Sequence, residues 1–352
     1  FVQSLVGFAL VGLGLACVVP CCFAIVARSA REQAAAALGM ASLVAGAIRL
    51  PAPMALGALR DGAFDFLTKP FAADNLPAMS QSLRLATQAA RTLSSVDACL
   101  TLLPAAAHWS HPAWVADRNA MLETGVRILR LLTAAITRQP FSGAPVHEQL
   151  AEAWSVSPDG ARLIRAALVL SADHEFNASA FAARVVASTG ANLHASTVAG
   201  LAAVNGPRHG GLTRLVRGLL DELKGAPDVS TALKERRRSQ PQLPGFGHPL
   251  YPDGDIRARV LFELMRESCT GSEALAFAER VATAGERATD APPNIDFATV
   301  TLERVLGLPK DSALAMFLLG RTVGWIAHAI EQASHGALIR PRARYTGPRP
   351  AP

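Results

Sequence analysis

The stretch ADHEFNASAFAARVVASTGANLHASTVAGLAAVNGPRHGG, residues 172–211, is dominated by Ala, Ser and Gly and is closed at each end by a histidine-bearing turn. The first turn, Asp173-His174-Glu175, ends an apolar run, and a helix is expected to open after it near Asn177 or Ser179. Small side chains on such a helix let neighbouring helices approach closely. The stretch therefore predicts tightly packed helices whose ends carry histidines.

The composition of the whole chain agrees with a helical fold. Half of the 352 residues are apolar and 18% are charged, which is typical of a well-buried globular chain and not of a disordered one. Ala and Leu, both strong helix formers, are abundant, while alternating β-branched segments are nearly absent. From about residue 76 onward the pattern is helical throughout, so we predict an all-α fold.

Charge and cysteine content restrict the partners and the compartment. The formal charge is +6 and arginine outnumbers lysine, which fits recognition of carboxylate or phosphate groups or simply a high-arginine genome. Basic and aromatic residues do not interleave, so we expect no nucleic-acid partner. Five cysteines without regular spacing argue against a disulfide framework, and we expect a reducing, cytoplasmic location.

The first 75 residues form an atypical N-terminal segment. Residues 5–27 contain no charge and are long enough to span a bilayer. We favour the alternative of a helix buried in a core or a dimer interface, broken at Pro20. Residues 58–76 resemble the end of a response-regulator receiver domain around Lys69-Pro70, but residues 1–60 contain no Asp, so we expect a remnant without phosphorelay.

Three turns carry a histidine, and glycines lie close to it in the second and third. His174 follows Asp173, His209 lies in NGPRHGG (205–211), and His248 lies in GFGHPLYPDGDIR (245–257). Glycine permits positive φ and close approach of the backbone to a ligand. Each turn also has a simpler interpretation: a capping cluster for His174, a loop between helices for His209 and a surface turn for His248.

Two charged residues have apolar neighbours. Asp296, in PPNIDF (292–297), is expected to have a pKa raised by desolvation, which suits a general base, although it also fits a helix N-cap. Arg321 lies within a helix, Ser312 to Gln332, that is apolar nearly all round. A buried guanidinium is costly unless it is paired, so Arg321 needs a carboxylate from the protein or from a substrate.

Taken in order, four segments resemble the citrate synthase family. They are 172–211, LPGFGHPLYPDGDIRA (243–258), PPNIDF (292–297) and GRTVGWIAHAIEQ (320–332) with the following LIRPRARYTGP. The resemblance covers roughly residues 95–349 and is closest to the short bacterial branch. It implies a helical large domain, residues 76–211 and 312–352, with an inserted smaller helical domain, residues 212–311, that closes over the site.

The resemblance also implies the site residues, motif by motif. His209, His248 and Asp296 would be catalytic. Substrate carboxylates would be bound by His174, Arg257 and Arg321, with Arg340 reaching the partner subunit's site in a homodimer. Coenzyme A would lie against Leu243, Pro244, Gly245, Phe246 and Gly247.

The implied reaction is the condensation of acetyl-CoA with oxaloacetate to citrate and free coenzyme A. Asp296 would act as base, and His209 and His248 as electrophilic or acid catalysts. No metal or separate cofactor is expected, because the coenzyme A thioester is itself a substrate. The alternatives are 2-methylcitrate synthesis from propionyl-CoA, since one methylene in an apolar pocket discriminates only about 10–200-fold, and a non-catalytic regulator of the same fold.

Overall fold

The computed structural model describes residues 81–107, 118–344 and 346–347. The apolar stretch 5–27 and the receiver-like segment 58–76 therefore lie outside the described residues. Within the described ranges the secondary structure consists of helices, with one isolated β-bridge between Phe246 and Pro293. The all-α prediction is confirmed for this part of the chain.

The helices of the described ranges are numbered in chain order. They are α1 Gln81–Ala90, α2 Ser95–Ala106, α3 Arg118–Thr137, α4 Val146–Ala153, α5 Pro158–Leu170, α6 Ala178–Ser188, α7 Leu193–Val204, α8 Leu212–Lys224, α9 Val229–Ser239, α10 Ile256–Ser268, α11 Glu273–Thr289, α12 Ile295–Val305 and α13 Ser312–His335.

Side chains that precede the helices fix where several of them begin. Asn177, Asn192 and Asn294 accept hydrogen bonds from the first backbone N–H groups of α6, α7 and α12. Asp255 does the same for α10. These groups satisfy N–H donors that have no partner within the helix. Helix α6 thus begins directly after Asn177, as the sequence predicts.

Helix α13 forms the centre of the core. Every residue from Ser312 to Gln332 is buried, and the helix packs against α3, α5, α6, α7 and α12. Its length and composition alone would allow it to cross a membrane, but its apolar stretch is wholly buried inside the protein, as expected of a core helix. The burial predicted for this helix is confirmed.

Small residues bring α6 and α7 against each other and against α13, as predicted for the stretch 172–211. Gly200 on α7 shows how close the approach is, because a Cβ there would lie 2.6 Å from the ring of Trp325 on α13. Real Cβ atoms do not approach other atoms so closely, so the helices could not pack in this way with a larger residue.

Helices α8 to α12 pack mainly on one another. They meet the remaining helices through contacts of α10 with α5 and of α8 and α12 with α13. The division into a large domain and an inserted domain at residues 212–311 stays a prediction.

Candidate active site

Two loops that carry predicted site residues are tied together by the backbone. Gly247 N–H donates to Pro292 O at 2.8 Å, and Asn294 N–H donates to Gly245 O at 2.9 Å. The side-chain amide of Asn294 also donates to Gly247 O at 3.0 Å. The loop before His248 is therefore fixed against the start of α12, two residues before Asp296.

The segment predicted to bind coenzyme A forms a tight turn. Gly245 and Gly247 have φ of +87° and +72°, a conformation that glycine adopts without strain. Between them, the Phe246 ring packs against Phe297, with ring centroids 5.2 Å apart. Leu243, at the start of the segment, is buried, and Pro244 is half-buried. Apolar contacts therefore hold the segment in place.

His174 and His248 lie side by side, although they are distant in the chain. Their ring centroids are 4.9 Å apart and the rings are nearly perpendicular. His174 Nε2 is 3.0 Å from the hydroxyl oxygen of Tyr251, whose ring also packs against His248 at 5.0 Å. The peptide N–H of Leu250 donates to His248 Nδ1 at 3.1 Å. The hydrogen of the neutral His248 ring is therefore on Nε2.

His209 follows α7 and is held by the opposite end of the 172–211 stretch. Its Nε2 is 2.7 Å from the hydroxyl oxygen of Ser179, on the first turn of α6. The same hydroxyl lies 2.7 Å from Asn177 Oδ1. The ring also contacts Phe317 of α13, edge to face, at 5.8 Å. His209 thus lies where α6, α7 and α13 meet.

All three histidines are held in the neutral form. Burial, together with the smaller effect of the charge of Arg321, lowers the pKa of His209 to about 4. Burial also lowers the pKa of His174, with additional lowering from Arg257 and Arg321. The pKa of His248 is lowered for the same reasons, although nearby Asp255 opposes the change. Neutral imidazoles are hydrogen-bond donors and acceptors, not resident charges.

Asp296 lies on the first turn of α12 and is strongly desolvated. Burial raises the pKa of its carboxyl from the usual 3.8 to about 7, although Arg257 and Arg321 oppose the rise. Its Oδ1 is buried and has no hydrogen-bond partner. Asn294, not Asp296, caps the helix, so the N-cap interpretation of Asp296 is wrong, and the raised pKa expected from the sequence is present.

Arg257 is buried and held by the residue two positions before it. Its Nε and Nη2 donate to the two oxygens of Asp255 at 2.9 and 2.8 Å. Asp255 also accepts the N–H of Ile295 at 3.0 Å, which links α10 to α12. Because of this pairing the pKa of Arg257 is raised despite its burial. The Arg257 guanidinium additionally lies over the Tyr251 ring at 5.2 Å.

Arg321 is buried in the middle of α13, and none of the ion pairs formed by the described residues includes it. Its Nε donates to Ser171 O at 2.7 Å, and its guanidinium lies 4.9 Å from the centroid of the Phe317 ring. Burial lowers its pKa to about 10, while the nearby carboxylate of Asp173 opposes the change. A buried cation without a bonded carboxylate is suited to accept one from a ligand.

The remaining predicted residue, Arg340, takes part in none of the contacts described above. It follows α13 and is exposed, and Ile339 N–H donates to the hydroxyl of Ser188 on α6 at 3.1 Å. The structure adds residues that the sequence analysis did not assign to the site. These are Ser179, Tyr251, Asp255 and Asn294, each of which contacts a predicted site residue or fixes its loop.

The arrangement suits proton transfer at neutral pH beside an anionic ligand. The charge of Arg321 acts on His174, His209, His248 and Asp296, so these groups share one electrostatic environment. One carboxyl titrates near neutrality, three imidazoles are neutral, and two buried guanidiniums lie close by. Among residues 81–107 and 118–344, no group of three or more His, Cys, Asp or Glu side chains is arranged to hold a metal ion.

Comparison with known proteins identifies the family to which this helical chain and its group of buried residues belong. The model of the citrate synthase C-terminal domain matches residues 69–342. The chain belongs to the citrate synthase family. The match begins inside the segment 58–76 and ends before residue 349, so the family's boundaries differ from the 95–349 expected from the motifs.

Citrate synthase 2 of Bacillus subtilis is 35% identical over 195 residues, 54% of this chain and 52% of that protein. 2-Methylcitrate synthase 2 of Corynebacterium glutamicum is 32% identical over 203 residues, 56% of this chain and 52% of that protein. The chain thus spans about half the length of the curated relatives it matches.

A solved structure extends the likeness over most of the fold. It is the citrate synthase of Thermoplasma acidophilum in a ternary complex with carboxymethyl coenzyme A and oxaloacetate. The two structures superpose with a TM-score of 0.65 at 25% identity. The superposition covers 82% of this chain and 86% of that one.

Proposed function

We propose that this protein condenses a coenzyme A thioester with oxaloacetate, and that acetyl-CoA is the thioester. The observation that carries the proposal is Asp296, a desolvated carboxyl whose pKa is raised to about 7 and whose Oδ1 has no partner. The similar archaeal citrate synthase binds oxaloacetate and a coenzyme A analogue. Both kinds of ligand fit the charges around Asp296.

Asp296 removes a proton from the carbon next to the thioester carbonyl. That carbon is a weak acid, so the base must be placed close to it and must not be stabilised by water or by hydrogen bonds. A base whose pKa lies near the working pH combines a useful ionised fraction with a strong tendency to bind the proton. Asp296 suits this role because its buried Oδ1 has no hydrogen-bond partner and its pKa is raised to about 7.

His209 stabilises the enol that results. The Ser179 hydroxyl donates to Asn177 Oδ1 at 2.7 Å and also lies 2.7 Å from His209 Nε2. In the reaction its hydrogen turns to Nε2, so the imidazole hydrogen is on Nδ1 and is available to the thioester oxygen. A neutral donor that is already in position stabilises charge as it develops on that oxygen. Ser179 therefore sets the tautomer that the reaction needs.

His248 acts on the second substrate. Its Nδ1 accepts the N–H of Leu250, so its Nε2–H donates to the keto oxygen of oxaloacetate and polarises the carbonyl. As the carbon–carbon bond forms, the same hydrogen moves to the new alkoxide, and the proton that Asp296 removed returns the His248 ring to its neutral form and Asp296 to the carboxylate. The condensed thioester is then hydrolysed to the free acid and coenzyme A.

The arginines bind the two carboxylates of oxaloacetate. Asp255 occupies Nε and Nη2 of Arg257 and leaves Nη1 for a ligand. Ser171 O occupies only Nε of Arg321, so its terminal nitrogens remain for a carboxylate. Two fixed guanidiniums orient the ketone towards His248, and a well-oriented reactant loses less entropy in reaching the transition state.

The proposal includes a cytoplasmic homodimer in which Arg340 reaches the partner's site. Its exposed position after α13 supports this assignment. Mixing Arg340→Ala subunits with Asp296→Asn subunits tests it, because a shared site regains activity in mixed dimers. Independent sites would give only the sum of the two residual activities.

The reaction is tested by measuring thiol release with oxaloacetate and acetyl-, propionyl- or butyryl-CoA in turn. We expect the highest kcat/KM with acetyl-CoA and a loss of about 10²- to 10⁴-fold in Asp296→Asn. A preference for propionyl-CoA would identify a 2-methylcitrate synthase. Thiol release that is absent with every thioester, while oxaloacetate still raises the Tm, would identify a non-catalytic member of the family.

A further inference from the structure

One face of α13 bonds three consecutive residues of the loop that carries His174. Arg321 Nε donates to Ser171 O at 2.7 Å, and Gly324 N–H donates to Ala172 O at 3.1 Å. One turn further, His328 Nε2 lies 3.1 Å from Asp173 Oδ1. Positions 321, 324 and 328 share a face of the helix because they are three and four residues apart.

His328 is oriented by a cation on its other side. Arg184 Nη1 lies 3.3 Å from His328 Nδ1 and also contacts Glu331 Oε2. Arg184 Nη2 donates to Gln332 Oε1 at 2.9 Å. Since a guanidinium can only donate, His328 Nδ1 must accept, and the ring hydrogen is on Nε2. His328 therefore donates to Asp173.

Asp173 lies close to Arg321 without bonding to it. Each group changes the pKa of the other. The charge of Arg321 lowers the pKa of Asp173, and the carboxylate of Asp173 opposes the decrease that burial causes in the pKa of Arg321. Yet the hydrogen-bond partner of Asp173 Oδ1 is His328, and the ion pairs of the described residues include none between Asp173 and Arg321. A buried carboxylate next to a buried guanidinium would ordinarily form that pair.

We propose that His328 is a positioning residue that holds the Asp173 carboxylate away from Arg321, and so keeps this guanidinium open for a carboxylate of the substrate. The inference rests on the proposed function, in which Arg321 binds oxaloacetate. Asp173 then balances the charge of Arg321 at a distance while the site is empty. It does not compete for the bonds that the substrate makes.

The inference predicts what happens when the restraint is removed. In His328→Leu, Asp173 loses its side-chain donor and keeps only the backbone N–H of His174, so its carboxylate turns to Arg321 and occupies the terminal nitrogens. Oxaloacetate must then displace an internal carboxylate, and we expect its KM to rise about 10- to 100-fold, the range of one charge-assisted hydrogen bond. We expect kcat to change less than about threefold, because the bound complex keeps all its groups.

A second substitution separates competition from general damage. Asp173→Asn keeps the shape and still accepts from His328, but it removes the competing charge. In the double variant, Asp173→Asn with His328→Leu, the KM for oxaloacetate should return to within about threefold of wild type. His328→Gln should stay near wild type, because its amide can donate to Asp173. Thr322→Val is the control, since Thr322 is buried on the same helix and bonds only Leu318 O.

The experiment measures kcat, KM for oxaloacetate, and the rise in Tm that oxaloacetate produces. The wild type is measured first: no thiol release and no rise in Tm would refute the proposed function and not the positioning role. If the wild type responds, an unchanged KM in His328→Leu, or a double variant no better than the single one, overturns the inference. If His328→Leu does not fold, the Asp173→Asn single variant decides. A tenfold loss of affinity for oxaloacetate in this variant would overturn the positioning role, and wild-type or tighter binding would support it.

Discussion

Asp296→Asn should make the protein more stable at alkaline pH while it removes activity. Burial raises the pKa of Asp296 from 3.8 to about 7, so the folded protein binds this proton more tightly than the unfolded chain does. A group of this kind favours folding while it is protonated. Its contribution is complete below about pH 4 and is lost as the pH rises to about 7.

The pKa difference sets the size of the effect. At about 1.4 kcal/mol for each pH unit between the two values, the loss of stability is at most about 4 kcal/mol. The amide of the Asp296→Asn variant cannot ionise and therefore escapes this loss. The free energy of unfolding of the variant, relative to that of wild type, should increase by about 2–3 kcal/mol between about pH 5 and about pH 8.

Urea unfolding of both proteins across this pH range measures the difference. Glu263→Gln, which replaces an exposed carboxylate on α10, is the control and should differ from wild type by a constant amount. In parallel, kcat/KM of wild type should fall about tenfold for each pH unit below about 7, because the base must be ionised. A stability difference between Asp296→Asn and wild type that is the same at every pH would refute the desolvated-base argument.

Three further substitutions test other contacts. Arg321→Leu should raise the oxaloacetate KM about 10- to 100-fold at nearly unchanged Tm, and a retained ligand-induced Tm shift would make the arginine structural. Ser179→Ala should lower kcat about tenfold or more with little change in KM, because in the proposed reaction the His209 imidazole loses the hydroxyl that sets its tautomer; wild-type turnover would contradict this. Gly285→Val should lower the Tm and raise the KM for the thioester, since its Cβ would lie 2.1 Å from the Phe246 ring. Gly218→Ala, whose Cβ meets nothing within 4 Å, is the control and should leave both values unchanged.

The main helices and the loops that carry the histidines could be predicted from the sequence because the signals are local. Helix α13 is apolar on every side, and one arginine interrupts it, so its burial and the need of Arg321 for a carboxylate partner could be predicted directly. Asp296 stands between Ile295 and Phe297, and these neighbours already indicate a desolvated carboxyl. Such inferences depend only on residues that are adjacent in the chain or one turn apart.

The partners of the site residues were missed because they are distant in the chain. Ser179 meets His209 across 30 residues, and Tyr251 meets His174 across 77. No periodicity links such pairs. Asp255 is different, since it lies two residues before Arg257 at the start of a helix, and this spacing could have indicated both the cap and the ion pair.

The contacts of α13 with residues 171–173 restrict where this helix can gain or lose length. One extra residue between Arg321 and His328 would turn the rest of the helix by about 100° and advance it by about 1.5 Å. At Gly324, an added Cβ would lie 2.5 Å from Ala172 O, so a shift that brings any larger residue to this position is also excluded. Insertions and deletions among homologous chains should therefore fall before Ser312 or after His335, where they leave the loop of His174 in place. Those after His335 would change how far the C-terminal tail reaches.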